Sequence, residues 1–219
     1  EQKESKDRSR RQPQYFEFTG ADGMPYGNEP TSLQTKPGSV TAGQLKANFA
    51  GQSSGGSRPF DPSGAVGPNH YVQMINATTM RVYNKTSGST MGSAISLGTI
   101  WNPDTQNNGD PIVMYDKDAD RWFLAQFGSF FNNEIYIAIS TTGDPLGSYY
   151  TYTFDSPAFP DYLKFSIWQD GYYMTANTST QRVFAFERDA MIAGTPGARS
   201  VYASYNPPDG GGFFVPMSG

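Results

Sequence analysis

The chain has 219 residues with 16 Lys and Arg against 20 Asp and Glu, and its net charge of −4 argues against a broad electrostatic footprint for nucleic acid or anionic membrane. It has no cysteine and one histidine, His70, which excludes disulfides, thiolate zinc sites, cysteine nucleophiles and multi-histidine metal centres. Aromatics reach 15% and charged residues only 16%, with 24 Gly and 16 Pro, a β-rich and turn-rich mixture in which no apolar run of about 18 residues spans a membrane.

Residues 1–14 alternate in charge sign without apolar periodicity and predict a solvated tail. The tail lacks an apolar h-region, so any signal peptide is expected to have been removed or never to have been present. Residues 15–60 read as an irregular extension. Its aromatic strand candidate is Tyr15-Phe16-Glu17-Phe18, a short helix is predicted from Thr41 to Phe49, and the run from Gly51 to Ser57 has the composition of a flexible linker.

From Asp61 onward the sequence repeats with a period of about 50 residues, a propeller-blade length rather than that of a helical solenoid. The repeats run over 61–109, 110–160 and 161–211, and 212–219 reads as the start of a further unit. Their acidic anchors, Asp61, Asp110 and Asp161, stand 49 and 51 residues apart. An aromatic strand follows each anchor: His70 to Met74, Arg121 to Ala125 and Gly171 to Thr175. A further strand comes next, at Met80 to Tyr83, Ile135 to Ile139 and Arg182 to Phe186, with turn clusters between. These strands are apolar on both faces, as with Val183 and Ala185 on one side and Phe184 and Phe186 on the other. Propeller blades need such strands because each blade is covered on both sides. A β-sandwich has similar strand density but no reason for the period. The expected fold is all-β, a row of β-propeller blades with an irregular N-terminal extension. Three repeats do not close a ring, since propellers have four or more blades, so an incomplete ring is expected, completed by further chain or by other copies.

Four segments carry a family resemblance: Gly109 to Asp116, Asp120-Arg121-Trp122-Phe123, Pro160 to Lys164 and Asp170 to Asn177. They resemble large secreted bacterial β-propeller proteins, which often carry adhesion or sorting modules elsewhere. The resemblance covers Asp61 to about Ala193 and implies a propeller without a general assigned reaction. In outline the chain is also similar to sialidase-type propellers, but the Asp-box Ser-x-Asp-x-Gly-x-x-Trp is absent. Counting back from Trp122, Ala119 and Lys117 stand where Gly and Asp belong.

The run Asp116-Lys117-Asp118-Ala119-Asp120 places carboxylates at alternate positions, so Asp116, Asp118 and Asp120 form a candidate calcium site. The remaining EF-hand requirements are unmet, with Arg121 and Phe127 in place of the Gly and Glu, and a solvated Asp-rich turn is the competing reading. Asp110, Asp161, Asp116 and Glu134 are the pool from which a glycosidase would draw its paired carboxylates. Because Asp61, Asp110 and Asp161 recur with the repeats, capping of backbone N–H groups is the expected role for those three. His70 opens an aromatic strand and reads as a strand-end hydrogen-bonding residue. No Gly-x-Ser-x-Gly is present, and Gly51 to Gly56 lacks the lysine of a phosphate loop. Trp101, Tyr149, Tyr150 and Tyr152, with Trp168, are candidates for stacking on sugar rings.

No catalytic constellation stands out, so the leading expectation is an extracellular or cell-surface adhesion module that binds glycan or protein. The alternatives are a carbohydrate-active hydrolase using blade-loop carboxylates and a structural subunit that polymerises through incomplete sheets. Low lysine, abundant Tyr, Asn, Thr and Ser and the absence of thiols fit a secreted or surface protein. Sequons stand at Asn76, Asn84 and Asn177, though several are expected by chance in such a composition.

Overall fold

The computed structural model describes residues 45–101, 109–129, 131–178 and 182–205. The chain divides into two units, Glu1–Gln44 and Leu45–Gly219, and all described residues lie in the second. The tail at 1–14, the strand candidate at Tyr15 to Phe18 and the segment 212–219 therefore lie outside the described residues.

Among the described residues the fold is all-β, with three four-stranded antiparallel sheets and two helices of one turn each. The first sheet holds β1 (Ser63–Val66), β2 (His70–Met74), β3 (Thr79–Asn84) and β4 (Thr90–Ser96), followed by α1 (Leu97–Ile100). The second holds β5 (Ile112–Asp116), β6 (Arg121–Phe127), β7 (Glu134–Ser140) and β8 (Tyr149–Asp155). The third holds β9 (Asp161–Ile167), β10 (Tyr172–Asn177), β11 (Arg182–Phe186) and β12 (Ser200–Ser204), with α2 (Arg188–Ile192) between its last two strands. Each sheet is a meander whose consecutive strands pair side by side. Each also coincides with one sequence repeat. Tight turns suffice for such hairpins, consistent with the Gly, Asn and Asp between the strands.

β1 packs beside β5, and β5 beside β9, so the first strands of the three sheets are neighbours. The Val113 amide donates to Ser63 Oγ at 3.0 Å and ties the first pair together. The middle sheet is buried on both faces. Its Trp122, Leu124, Tyr136 and Ala138 meet Val72, Met74, Met80 and Val82 of the first sheet. The alternate residues Phe123, Ala125, Ile135, Ile137 and Ile139 meet Leu163, Phe165, Tyr172 and Met174 of the third. The register Phe123↔Ile139, Leu124↔Ala138 and Ala125↔Ile137 keeps each set on one face. A strand covered on both sides has no wet face to mark with polar residues, which is why β6 and β7 read as almost continuous apolar runs. Each fully buried Leu, Ile or Phe contributes about 1.5–3 kcal/mol of burial free energy.

Two expectations for the extension change in the structure. Residues 45–49 carry no helix, so the helical reading of Thr41 to Phe49 fails over its described part. A covering contact replaces it: the Phe49 ring packs against Tyr71 and Tyr83 on the outward face of the first sheet, with centroids 5.9 and 5.4 Å away. The Gly-Ser run is anchored too. The Gln52 amide donates to Gln73 Oε1 at 2.8 Å, Gln52 Nε2 donates to the Gln73 carbonyl at 2.9 Å, and Thr79 Oγ1 donates to Gln52 Oε1 at 2.6 Å.

Candidate functional site

A cleft of about 350 Å³ opens where the first strands of all three repeats begin, between Asp61, Ser63, Asp110, Tyr162 and Lys164. Two of the three anchors, Asp61 and Asp110, line it and are tied by a ladder of hydrogen bonds that ends on Tyr162, the residue after the third anchor. Asn76 Nδ2 donates to Asp61 Oδ2 at 3.1 Å and to the Pro59 carbonyl at 3.0 Å. The Asp110 amide donates to Asn76 Oδ1 at 3.2 Å, and the Tyr162 amide donates to Asp110 Oδ2 at 3.2 Å. Asp61, Asp110 and Tyr162 all have positive φ, at 30°, 47° and 58°, a backbone region that non-glycine residues enter rarely. In the third repeat a β-bulge between β9 and β10 absorbs one extra residue, which leaves Asp161 opposite Asn177.

The electrostatics of the cleft are mixed. Burial pushes the Asp110 carboxyl up, and the nearby Asp161 and Asp61 push it further, while the Tyr162 amide and Lys164 oppose the rise. Burial lowers the Lys164 ammonium, against the pull of the Asp110, Asp61 and Asp161 carboxylates. Lys164 Nζ stands 3.4 Å from the Tyr162 ring centroid and donates to the Leu163 carbonyl at 3.1 Å. Exposed aromatics share this end of the sheets: Phe60 before the first anchor, Tyr162 on the cleft wall and Phe131 in the β6–β7 turn. Carboxylates that accept, an ammonium that donates and flat apolar rings together suit a hydroxylated ligand.

The structure separates the other candidates from this cleft. Asp116 is 1% exposed and lies between the second and third sheets, where Arg188 Nε and Nη2 donate to its two oxygens at 2.7 and 3.0 Å and the Tyr172 hydroxyl donates at 3.0 Å. Burial alone would raise the Asp116 carboxyl, but hydrogen bonds from Arg188, the Ala119 amide and Tyr172 outweigh it and hold it low. Asp120 instead accepts a hydrogen bond from the Tyr115 hydroxyl, and Asp118 lies on the turn between them. Asp116, Asp118 and Asp120 therefore do not converge, and among the described residues no group of three or more His, Asp or Glu could hold a metal ion.

The aromatic candidates scatter as well. Trp101 is buried and stacks on Tyr136 with centroids 6.1 Å apart, so its ring presents no platform. Tyr149, Tyr150 and Tyr152 belong to β8, an outer strand. Tyr149 donates to the Pro145 carbonyl at 2.8 Å and Tyr152 to the Met191 carbonyl at 3.0 Å, while the Tyr150 ring lies over Gly194. His70 starts β2 at the opposite end of its sheet from the cleft. Lys164 and Tyr162 escaped the sequence reading, although both stand in the Pro160 to Lys164 segment that carries the third anchor. The chain matches no protein-family model, no curated protein and no solved structure.

Proposed function

We propose that the three sheets are consecutive blades of a β-propeller and that the chain is an extracellular or cell-surface interaction module binding glycan or protein at the anchor cleft. The observation that carries the reading is that one cleft draws its polar groups from all three repeats, which makes it a property of the assembly rather than of one loop. The three matching meanders, the neighbouring first strands and the two inter-sheet cores support the blade reading. Sugar hydroxyls would donate to Asp61 and Asp110 and accept from Lys164. A glycan array followed by calorimetry on its hits tests this. Asp110→Asn and Lys164→Met are each expected to weaken binding about tenfold, the loss of one hydrogen bond to a charged group. Binding that neither substitution changes would place the ligand elsewhere.

A second reading, carbohydrate hydrolysis, draws on the Asp110 carboxyl, which burial and the neighbouring Asp161 and Asp61 push above the usual carboxylate range, the direction that suits a general acid. Hydrolysis of an array hit with an alkaline limb that disappears in Asp110→Asn would favour the enzyme. Binding without turnover favours the module.

A further inference from the structure

A second cavity, of about 460 Å³, lies on the outward face of the first sheet, between Lys46, Phe49 and Gly51 of the extension and Val66, Tyr71 and Lys85 of the first repeat. Its shape is set by two side chains that lie against glycines. Tyr71 stands opposite Val66 in register but leans across Gly64, where an added Cβ would come within 2.4 Å of its hydroxyl oxygen. Gln73 lies against Gly51, where an added Cβ would come within 2.5 Å of Oε1. The Gln52 amide donates to that same Oε1 at 2.8 Å, which fixes the orientation of the Gln73 side-chain amide and leaves Nε2 as a donor. Lys85 Nζ donates to the Gly67 and Pro68 carbonyls at 3.0 and 3.3 Å, two acceptors for three N–H groups. Among the described residues the Tyr71 hydroxyl and Gln73 Nε2 donate to no acceptor. Burial pushes the Tyr71 phenol up, so it stays a donor across the neutral range.

The lining contains two ammonium groups, two side-chain amides and a phenol, and no carboxylate, although the chain as a whole carries a net charge of −4. A cavity lined by donors selects a ligand rich in acceptors, and its ammonium groups favour a negative one. Phe49, Tyr71 and Val66 give it an apolar wall of the kind on which a sugar ring packs, and its volume falls in the range of small-molecule sites. An acidic peptide would instead be fixed by main-chain bonds to a sheet edge, and the edge beside this cavity, β1, already packs against β5. We infer that the cavity between the extension and the first sheet binds an acidic sugar, a carboxylate-bearing pyranose of the uronate type, with its carboxylate toward Lys85 and its hydroxyls on Tyr71 and Gln73. The site shares no residue with the anchor cleft, so the inference stands apart from the function proposed there.

Calorimetry with trigalacturonate tests this, with galactotriose as the neutral counterpart and inorganic phosphate as the bare anion. Trigalacturonate is expected to bind at least about tenfold more tightly than either, with an affinity that falls as salt rises. Tyr71→Phe removes a hydroxyl that holds no other described residue in place, and Val66→Glu adds a like charge at a position that is 54% exposed. Both variants are therefore expected to fold, which their melting temperatures check. Each is expected to weaken trigalacturonate binding about tenfold, while Asp110→Asn in the anchor cleft leaves it unchanged. Absence of trigalacturonate binding would overturn the inference, and so would binding that both variants leave unchanged. Equal binding of galactotriose would overturn the acidic class, and equal binding of phosphate would overturn the sugar. Loss of binding in Asp110→Asn with the other two variants unaffected would place the acidic sugar in the anchor cleft instead.

Discussion

Arg188 is the most informative single position in the molecule. It reaches from α2 of the third repeat into the second sheet, where its side chain is 9% exposed and that of Asp116 is 1%. Arg188→Ala leaves a buried carboxylate with only the Ala119 amide at 3.1 Å and the Tyr172 hydroxyl at 3.0 Å. Removing one partner of a buried pair costs about 3–5 kcal/mol, chiefly through the charge left behind. For a chain of this size that corresponds to a fall in melting temperature of about 6–20 °C. Urea unfolding followed by circular dichroism measures it, and hydrogen exchange is expected to show the loss concentrated in β9 to β12. The double substitution Asp116→Asn with Arg188→Met removes both charges and is expected to cost less than Arg188→Ala alone. The pH dependence has a definite sign. A carboxyl held low in the folded state stabilises above the usual carboxylate range, and that contribution is lost as pH falls through its folded pKa. Arg188→Ala should therefore flatten the acid limb of the stability profile. A loss under about 1 kcal/mol with an unchanged acid limb would refute the assignment of this pair as the bond between second and third sheets.

Trp122→Ala is expected to cost about 3–5 kcal/mol by chemical denaturation, because the indole fills the contact between first and second sheets and is fully buried; a loss below about 1 kcal/mol would show that contact to be loose. Chelation with EDTA is expected to leave the melting temperature unchanged, since Asp116 is engaged by Arg188 and Asp120 by Tyr115; a fall on chelation would return calcium to the acidic turn. Asp110→Asn is expected to reduce the loss of melting temperature as pH rises from the carboxylate range to neutrality, because a carboxyl raised in the folded state gives stability that disappears as pH passes its folded pKa. An unaltered pH slope would count against crowding of carboxylates in the cleft.

The repeat was legible in sequence because it rests on local chemistry: β2, β6 and β10 lie where the aromatic runs place them, and Gly, Asn and Asp mark the turns. The outer strands β4, β8 and β12 were not, since an outer strand packed on one side lacks the dense apolar run of a central one, and Tyr149 to Tyr152 consequently read as ligand aromatics. The Asp116–Arg188 pair joins residues 72 apart on different sheets, a relation that no local pattern encodes, so alternating carboxylates there read as a metal loop. The cleft was half legible. Its anchors stand out by periodicity, but Lys164 joins them through the bulge at the start of β9, which sequence spacing records only as one extra residue.

The equivalence of the three repeats is tested most directly by a crystal structure in which the sheets are superposed pairwise on Gly67, Asp116 and Trp168, the residues that close the first hairpin of each sheet. The expected result is one rotation relating first to second and second to third, with β1, β5 and β9 side by side and Trp122 and Tyr172 in matching surroundings. Unequal rotations, or a best superposition that shifts the register and puts those two rings in unrelated environments, would contradict it.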